Sequence, residues 1–230
     1  MSYYEYKYKI GLSRLNAVID MFDSLYSGTD PYPSGCVNSV YYDTLDIRHY
    51  HTCRDGNSEK KKFRIRWYEG DIKIQGQLKE KSILQVRKWK HTFSGIGTDA
   101  SYLFNVLWHQ LFDKEVHDSD VLRMYHDGVG AGIMWPLVRV SYQRRRYRTY
   151  DYRFNIDSNI VAEAVPGHPV GLTGVVRVPF AVLEIKTMQE RPYLPFMGDL
   201  RTGQISMSKF ALGIQLLFHE VGVLNKYVMF

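Results

Sequence analysis

The stretch KKFRIRWYEG, Lys61–Gly70, sets a cation at every second position: Lys62, Arg64 and Arg66. Phe63, Ile65 and Trp67 fall between them. Successive side chains of a β-strand point to opposite faces of its sheet, so this alternation predicts a strand with one apolar face and one row of positive charge. The pattern recurs along the chain. In DIKIQGQLKEK, Lys73, Gln75, Gln77, Lys79 and Lys81 share one face, opposite Ile72, Ile74 and Leu78. In VSYQRRRYRTY, Tyr142, Arg144, Arg146 and Arg148 fall together. In DYRFNID, Arg153, Asn155 and Asp157 alternate with Phe154 and Ile156. Glu184 and Lys186 face away from Leu183 and Ile185, and Glu5, Lys7 and Lys9 away from Tyr4, Tyr6 and Tyr8.

A sheet with one solvated face ordinarily mixes acids, hydroxyls and lysines, because like charges opposite one another repel. Here Arg and Lys gather on strand after strand with few acids. The compensating anion is then expected from a ligand, and a sheet curled so that its polar face lines an interior would collect these cations around it. Arginine suits phosphate because its planar fork bonds two oxygens at once. The residues thus predict a β-barrel with a basic lumen for a multiply charged phosphate compound.

The totals agree with a folded chain of this kind. It has 230 residues, 45% hydrophobic and 23% charged, and 18 tyrosines lean it toward β-structure. The net charge of +6 and a pI near 9.1 favour an anionic partner only weakly. No run approaches the roughly 18 apolar residues of a membrane helix. Cys36 and Cys53 form neither a CxxC pair nor a disulfide framework, and the charged MSYYEYKYKI start has no apolar signal core. A cytoplasmic location is expected. Without repeats or linker-like stretches, residues 1–230 read as one domain.

Helices are expected over 13–26, through TDASYLFNVLWHQLFDKEVHD (98–118), and in the apolar C-terminal stretch 204–230, which reads as a plug in the barrel end. Strands are expected at 3–10, 37–43, 46–54, 62–68, 71–79, 82–90, 121–127, 136–147, 150–157 and 178–188. The fold class is α+β, mainly antiparallel β.

Taken in order, EYKY (Glu5–Tyr8), YYDT (Tyr41–Thr44), FRIRWY (Phe63–Tyr68), QLKEK (Gln77–Lys81), YQR (Tyr142–Arg144), RFNID (Arg153–Asp157), LEIK (Leu183–Lys186) and SMSKF (Ser206–Phe210) resemble the VTC domain. That is the polyphosphate polymerase domain of the vacuolar transporter chaperone family, within the triphosphate tunnel metalloenzymes of the CYTH-like superfamily. The resemblance spans nearly the whole chain. It implies a closed antiparallel barrel forming a tunnel, transfer of the γ-phosphate of ATP to a growing polyphosphate chain, and dependence on Mn²⁺ or Mg²⁺. Carried over motif by motif, Lys7, Arg64, Arg66, Lys79, Arg144, Arg153 and Lys209 would bind phosphate, with Tyr142 adding a hydroxyl and Lys186 pointing the same way. From VRKWK, Lys88 is chosen over Arg87. Arg64, Arg66, Lys79, Arg144 and Glu184 would carry the catalysis, and Glu184 would hold the metal with Glu5 as a second carboxylate.

Two residues depart from the family pattern. Relatives often carry Glu where Gln77 stands, which makes hydrolysis less expected than transfer and leaves loss of catalysis open. Arg146 falls where relatives often have a small residue, so it would narrow the tunnel or add a phosphate contact. ATP and polyphosphate are the expected partners, with a membrane-protein partner open because related polymerases often work beside membrane proteins. The alternatives are a non-catalytic polyphosphate-binding module and a tripolyphosphate or nucleoside triphosphate hydrolase. RHYHTC offers His49, His51 and Cys53 on one strand face, but no fourth zinc ligand follows. Tyr and Arg interleaved in SYQRRRYRTYDYR could stack on single-stranded nucleic acid, but Tyr147 lies opposite Arg144 and Arg146, which counts against it although Tyr142 does not, and nucleic acid is not the expected partner.

Overall fold

Why the alternating stretches form strands is plain from where their apolar halves go. The computed structural model describes residues 4–70, 73–82, 86–93, 100–112, 119–190, 192, 194, 196, 198 and 203–220. The elements in chain order are β1 (Tyr4–Gly11), α1 (Leu15–Tyr26), β2 (Ser34–Asp43), α2 (Arg48–Arg54), β3 (Lys60–Tyr68), β4 (Ile74–Lys81) and β5 (Val86–Phe93). There follow α3 (Ala100–Leu103), α4 (Ser119–Gly130), β6 (Trp135–Arg148), β7 (Tyr152–Ala164), β8 (Val175–Arg177), β9 (Phe180–Thr187) and α5 (Lys209–Glu220). The strands hydrogen-bond in the order β1-β9-β7-β6-β2-β3-β4-β5, with β8 on β7. Among the described residues this path has two ends, β1 and β5, and the expected closed barrel is not formed. Alternation fixes which face of a strand is polar. It says nothing about whether the outermost strands meet.

The chain divides into two compact units. The first comprises Met1–Val37, Ser141–Ile160 and Arg177–Met207. Here β9 pairs antiparallel with β1 on one side and β7 on the other. The apolar faces of these strands, with Phe154, Ile156, Leu183 and Ile185, bury against Val18 and Phe22 of α1. The Phe22 ring meets those of Tyr147, Phe154 and Phe196 at 5.2–5.3 Å, a cluster whose edge-to-face contacts add to its area burial. Residues 203–205 run beside β1: Ile205 N–H donates to Lys7 O at 2.8 Å and Lys9 N–H to Gly203 O at 3.3 Å. That satisfies backbone groups an edge strand would leave open.

The second unit comprises Asn38–Val140, Val161–Val176 and Ser208–Phe230. Its centre is the antiparallel meander β3-β4-β5. Phe63, Ile65, Ile74 and Leu78 are fully buried among Trp108, Phe112, Val121 and Met124. Glycines permit two close approaches. A Cβ at Gly128 would lie 2.3 Å from the Trp108 ring, and one at Gly213 of α5 would lie 2.6 Å from Ala162 Cβ.

Two expected strands are helices. Of residues 46–54, Arg48–Arg54 form α2 because the Asp43 carboxylate takes its first N–H groups: His49 N–H donates to Oδ1 at 2.9 Å and Tyr50 N–H to Oδ2 at 2.8 Å. Residues 121–127 belong to α4, whose buried Val121, Met124 and Gly128 recur at helical spacing. The helix expected over 98–118 is broken. It keeps α3 and a 3₁₀ turn at Trp108–Leu111, with extended Leu107 between them, while 94–99 and 113–118 lie outside the described residues. The C-terminal helix is described over Lys209–Glu220, with Phe210, Ile214 and Leu217 buried; the apolar positions from Val221 onward lie outside the description. Among the described residues, no helix is long and apolar enough to cross a membrane.

Asp43 caps α2 from a fully buried position. Asp43→Ala is expected to lower the unfolding free energy by about 2 kcal/mol. A drop in the urea midpoint at unchanged slope measures it.

Candidate functional site

The β3-β4-β5 register builds a basic face row by row. Lys62, Lys79 and Lys88 lie directly across from one another, and Arg64 lies across from Gln77, which lies across from Lys90. Arg66 pairs with Gln75. The opposite face carries Lys61, Glu80 and Arg87 in one row. There Lys61 Nζ reaches Asp127 at 3.3 Å and Glu80 at 3.7 Å. Lys88 therefore shares the face of Lys79 and Arg87 does not. No carboxylate from the described residues of β3–β5 lies on the basic face.

Neutral groups aim these cations. Arg64 donates from Nε and Nη2 to Gln77 Oε1 at 3.0 and 2.8 Å, and from Nη1 to the Tyr41 hydroxyl at 3.0 Å. Arg66, only 7% exposed, donates from Nε to Ser39 Oγ at 2.9 Å. Lys62 donates to Ser208 Oγ at 2.8 Å. That oxygen also accepts from Ala211 N–H at 3.4 Å, so it lies at the head of α5, just before Lys209. A hydrogen bond to a neutral acceptor fixes a guanidinium's direction without cancelling its charge. The field is felt at Tyr41. Burial opposes ionisation of its phenol, yet Arg64, Arg66 and Lys62 outweigh burial and bring its pKa down to about 7.

The first unit's polar face is built differently, with Lys7, Arg144 and Lys186 each beside an acid. Register sets Lys7 opposite Glu184 and Glu5 opposite Lys186, with Arg153 and Asn155 opposite Lys186 and Glu184 on the far side of β9. Lys186 Nζ lies 2.9 Å from Glu184 Oε1, which also accepts from Asn155 Nδ2 at 3.2 Å. Lys7 Nζ lies 2.9 Å from Glu5 and donates to Met207 O at 2.9 Å. Arg144 grips the fully buried Asp157 with two bonds of 2.6 and 2.8 Å, and its guanidinium lies over the Tyr142 ring, 5.2 Å from the centroid. Burial works against the charge on Arg144, but Asp157, with Tyr142 and Glu184, holds its pKa well above the usual arginine value. Arg146 turns to Tyr32 O at 2.9 Å, and Arg153 is exposed.

For the expected divalent metal, the donors are carboxylate oxygens, the type that hard cations prefer. Glu5 and Glu184 each lie 2.9 Å from an ammonium group, that of Lys7 and that of Lys186. No group of three His, Cys, Asp or Glu that could hold a metal by itself occurs among the described residues. A cation here would complete its shell from the phosphates of its ligand.

The rival constellations do not assemble. His49, His51 and Cys53 lie on α2, where i and i+2 residues point apart. Burial first, then Arg48 and Lys61, push the His49 imidazole down to about 4. Tyr147 is buried and donates to Asp23 at 2.8 Å. Sequence reasoning assigned no role to Tyr41 or Ser39. The signal was there, because Ser39, Tyr41 and Asp43 alternate with Val40 and Tyr42.

Solved structures share this fold. A Hippeastrum candidate adenylyl cyclase with a dominant triphosphatase activity superposes at a TM-score of 0.57 and 16% identity, covering 94% of this chain and 96% of that one. A candidate adenylate cyclase from Bacillus halodurans gives 0.51 and 11%, covering 100% and 96%. No curated protein sequence matches. The VTC domain model matches residues 2–218. The chain belongs to the VTC domain family.

Asp157→Ala would leave Arg144 charged and unpaired in a buried place. A loss of about 3–5 kcal/mol in unfolding free energy is expected. Chemical denaturation measures it.

Proposed function

We propose that this chain is a metal-dependent polyphosphate polymerase, transferring the γ-phosphate of ATP to a growing polyphosphate chain. The observation that carries the reading is the face of Lys62, Arg64, Arg66, Lys79 and Lys88, which has no carboxylate from the described residues of its own strands and on which an amide and hydroxyls aim Lys62, Arg64 and Arg66. Membership of the VTC domain family supports the substrate class. Phosphoryl transfer passes through a state whose charge is spread over the phosphoryl oxygens, and fixed cations stabilise that charge as it develops. In the second unit Arg64, Arg66, Lys79, Lys88 and Lys209 would bind phosphate, and in the first unit Lys7, Tyr142, Arg144, Arg153 and Lys186 would do so. Glu184, with Glu5, would hold Mn²⁺ or Mg²⁺, which when bound neutralises phosphate charge. The acceptor phosphate attacks directly, with no covalent enzyme intermediate. A single domain over 1–230, a cytoplasmic location and a membrane-protein partner belong to the same proposal.

Two other readings have an observation each. The Hippeastrum protein's dominant triphosphatase activity favours a hydrolase. The neutral Gln77 against Arg64 favours a module that binds polyphosphate without turnover.

Incubation with ATP and Mn²⁺, followed by gel separation of products, decides among them. A polyphosphate ladder that disappears in Glu184→Ala is the expected result. Orthophosphate without a ladder would mean hydrolysis, and no turnover with retained polyphosphate binding would mean a binding module. Arg64→Ala and Arg66→Ala are each expected to weaken tripolyphosphate binding at least tenfold, about 1.4 kcal/mol, with the cooperative unfolding transition retained. Loss of that transition would make these side chains structural.

A further inference from the structure

On β2, Ser39 and Tyr41 present oxygens to Arg66 and Arg64, at 2.9 and 3.0 Å. Asp43, two residues on, turns both carboxylate oxygens to backbone N–H groups of Thr44 and α2. The acidic group left facing Arg64 from this strand is the Tyr41 phenol. It is 5% exposed, and its ring stacks on Phe210 of α5 with centroids 4.8 Å apart and planes 22° from parallel. Around it lie Lys62, Arg64 and Arg66 of β3, and the neutral Gln77 of β4 holds the far edge of the same guanidinium.

We propose that Tyr41 is a proton-linked positioning residue for the basic face. In the free protein it ionises against Arg64 as pH rises, and when a phosphate chain binds it takes up a proton and leaves the cations to the ligand. The inference rests on the phosphate-binding reading above and adds control of that site by pH.

The electrostatics run in one direction. Three cations hold the phenol's pKa near neutrality against the cost of burial. Phosphate oxygens brought to the same cations would cancel that field, returning the phenol toward its ordinary value near 10. One proton then passes from solvent to the phenolate oxygen, and no covalent bond to the ligand forms. Gln77 is part of the device. A carboxylate there would neutralise Arg64 permanently, whereas the amide keeps the guanidinium in place and leaves its charge for Tyr41 or the ligand. Binding accompanied by proton uptake weakens as pH rises. With a free pKa of about 7, phosphate affinity relative to a non-ionising variant falls roughly fifty-fold between pH 7 and pH 9.

The test combines near-ultraviolet tyrosinate absorbance with calorimetry of the full-length chain, using tripolyphosphate as probe. The expected result is a titration step near pH 7 that Tyr41→Phe removes and tripolyphosphate shifts upward by at least one pH unit. The dissociation constants of wild type and Tyr41→Phe should diverge above pH 7. Gln77→Glu should raise the midpoint without ligand, and it keeps the test alive should the Phe variant not fold. If tripolyphosphate binds wild type but the step is absent, or is present and does not move, the proposal is overturned and the phosphate reading stands. If tripolyphosphate binds neither protein at any pH, the phosphate reading falls and the proposal with it.

Discussion

Everything proposed for this protein depends on a row of like charges held on one side of a strand. Arg64 and Arg66, with Lys62 beside them, alternate with Phe63 and Ile65, which are fully buried. The apolar half fixes the register, because a slip by one residue would bury the cations and expose the core. The cations cannot move away from one another without losing that core. Their repulsion is therefore a standing cost of the fold, offset by burial on the opposite face and available to be relieved by an anion.

The two units handle positive charge in contrasting ways. In the first, Lys7, Arg144 and Lys186 each lie beside a carboxylate, and the Arg144–Asp157 pair is deep enough that neither partner can be removed cheaply. In the second, the partners of Arg64, Arg66 and Lys62 include an amide, a phenol and two serine hydroxyls. One side chain bridges those behaviours: Tyr41 is neutral enough to leave a guanidinium available and acidic enough to answer it.

Much of this was legible in the sequence. Period-2 alternation identified the polar faces of β1, β3, β4, β6, β7 and β9, and the register of β5 sets Lys88 on the face of Lys79. What alternation could not give was context from elsewhere in the chain. RHYHTCR reads as alternating until Asp43, outside the stretch, caps it into a helix. VLRMYHD likewise looks strand-like over seven residues, and its helical period emerges only when Gly128 is seen beneath Trp108. Closure of a barrel was inferred from a family likeness and from charge, neither of which encodes how the terminal strands pair. Tyr41 was quoted as a motif without a role, because its meaning lies in three cations on a neighbouring strand.

The central claim is that the polar side of β3–β5 receives a chain of phosphates, and a crystal structure with tripolyphosphate and Mn²⁺ tests it most directly. The account predicts phosphate oxygens within hydrogen-bond distance of Arg64 and Arg66, with Lys79 and Lys88 beside them. Tripolyphosphate bound elsewhere, with the Arg64–Gln77 and Arg66–Ser39 contacts unchanged and nothing against that face, would contradict it.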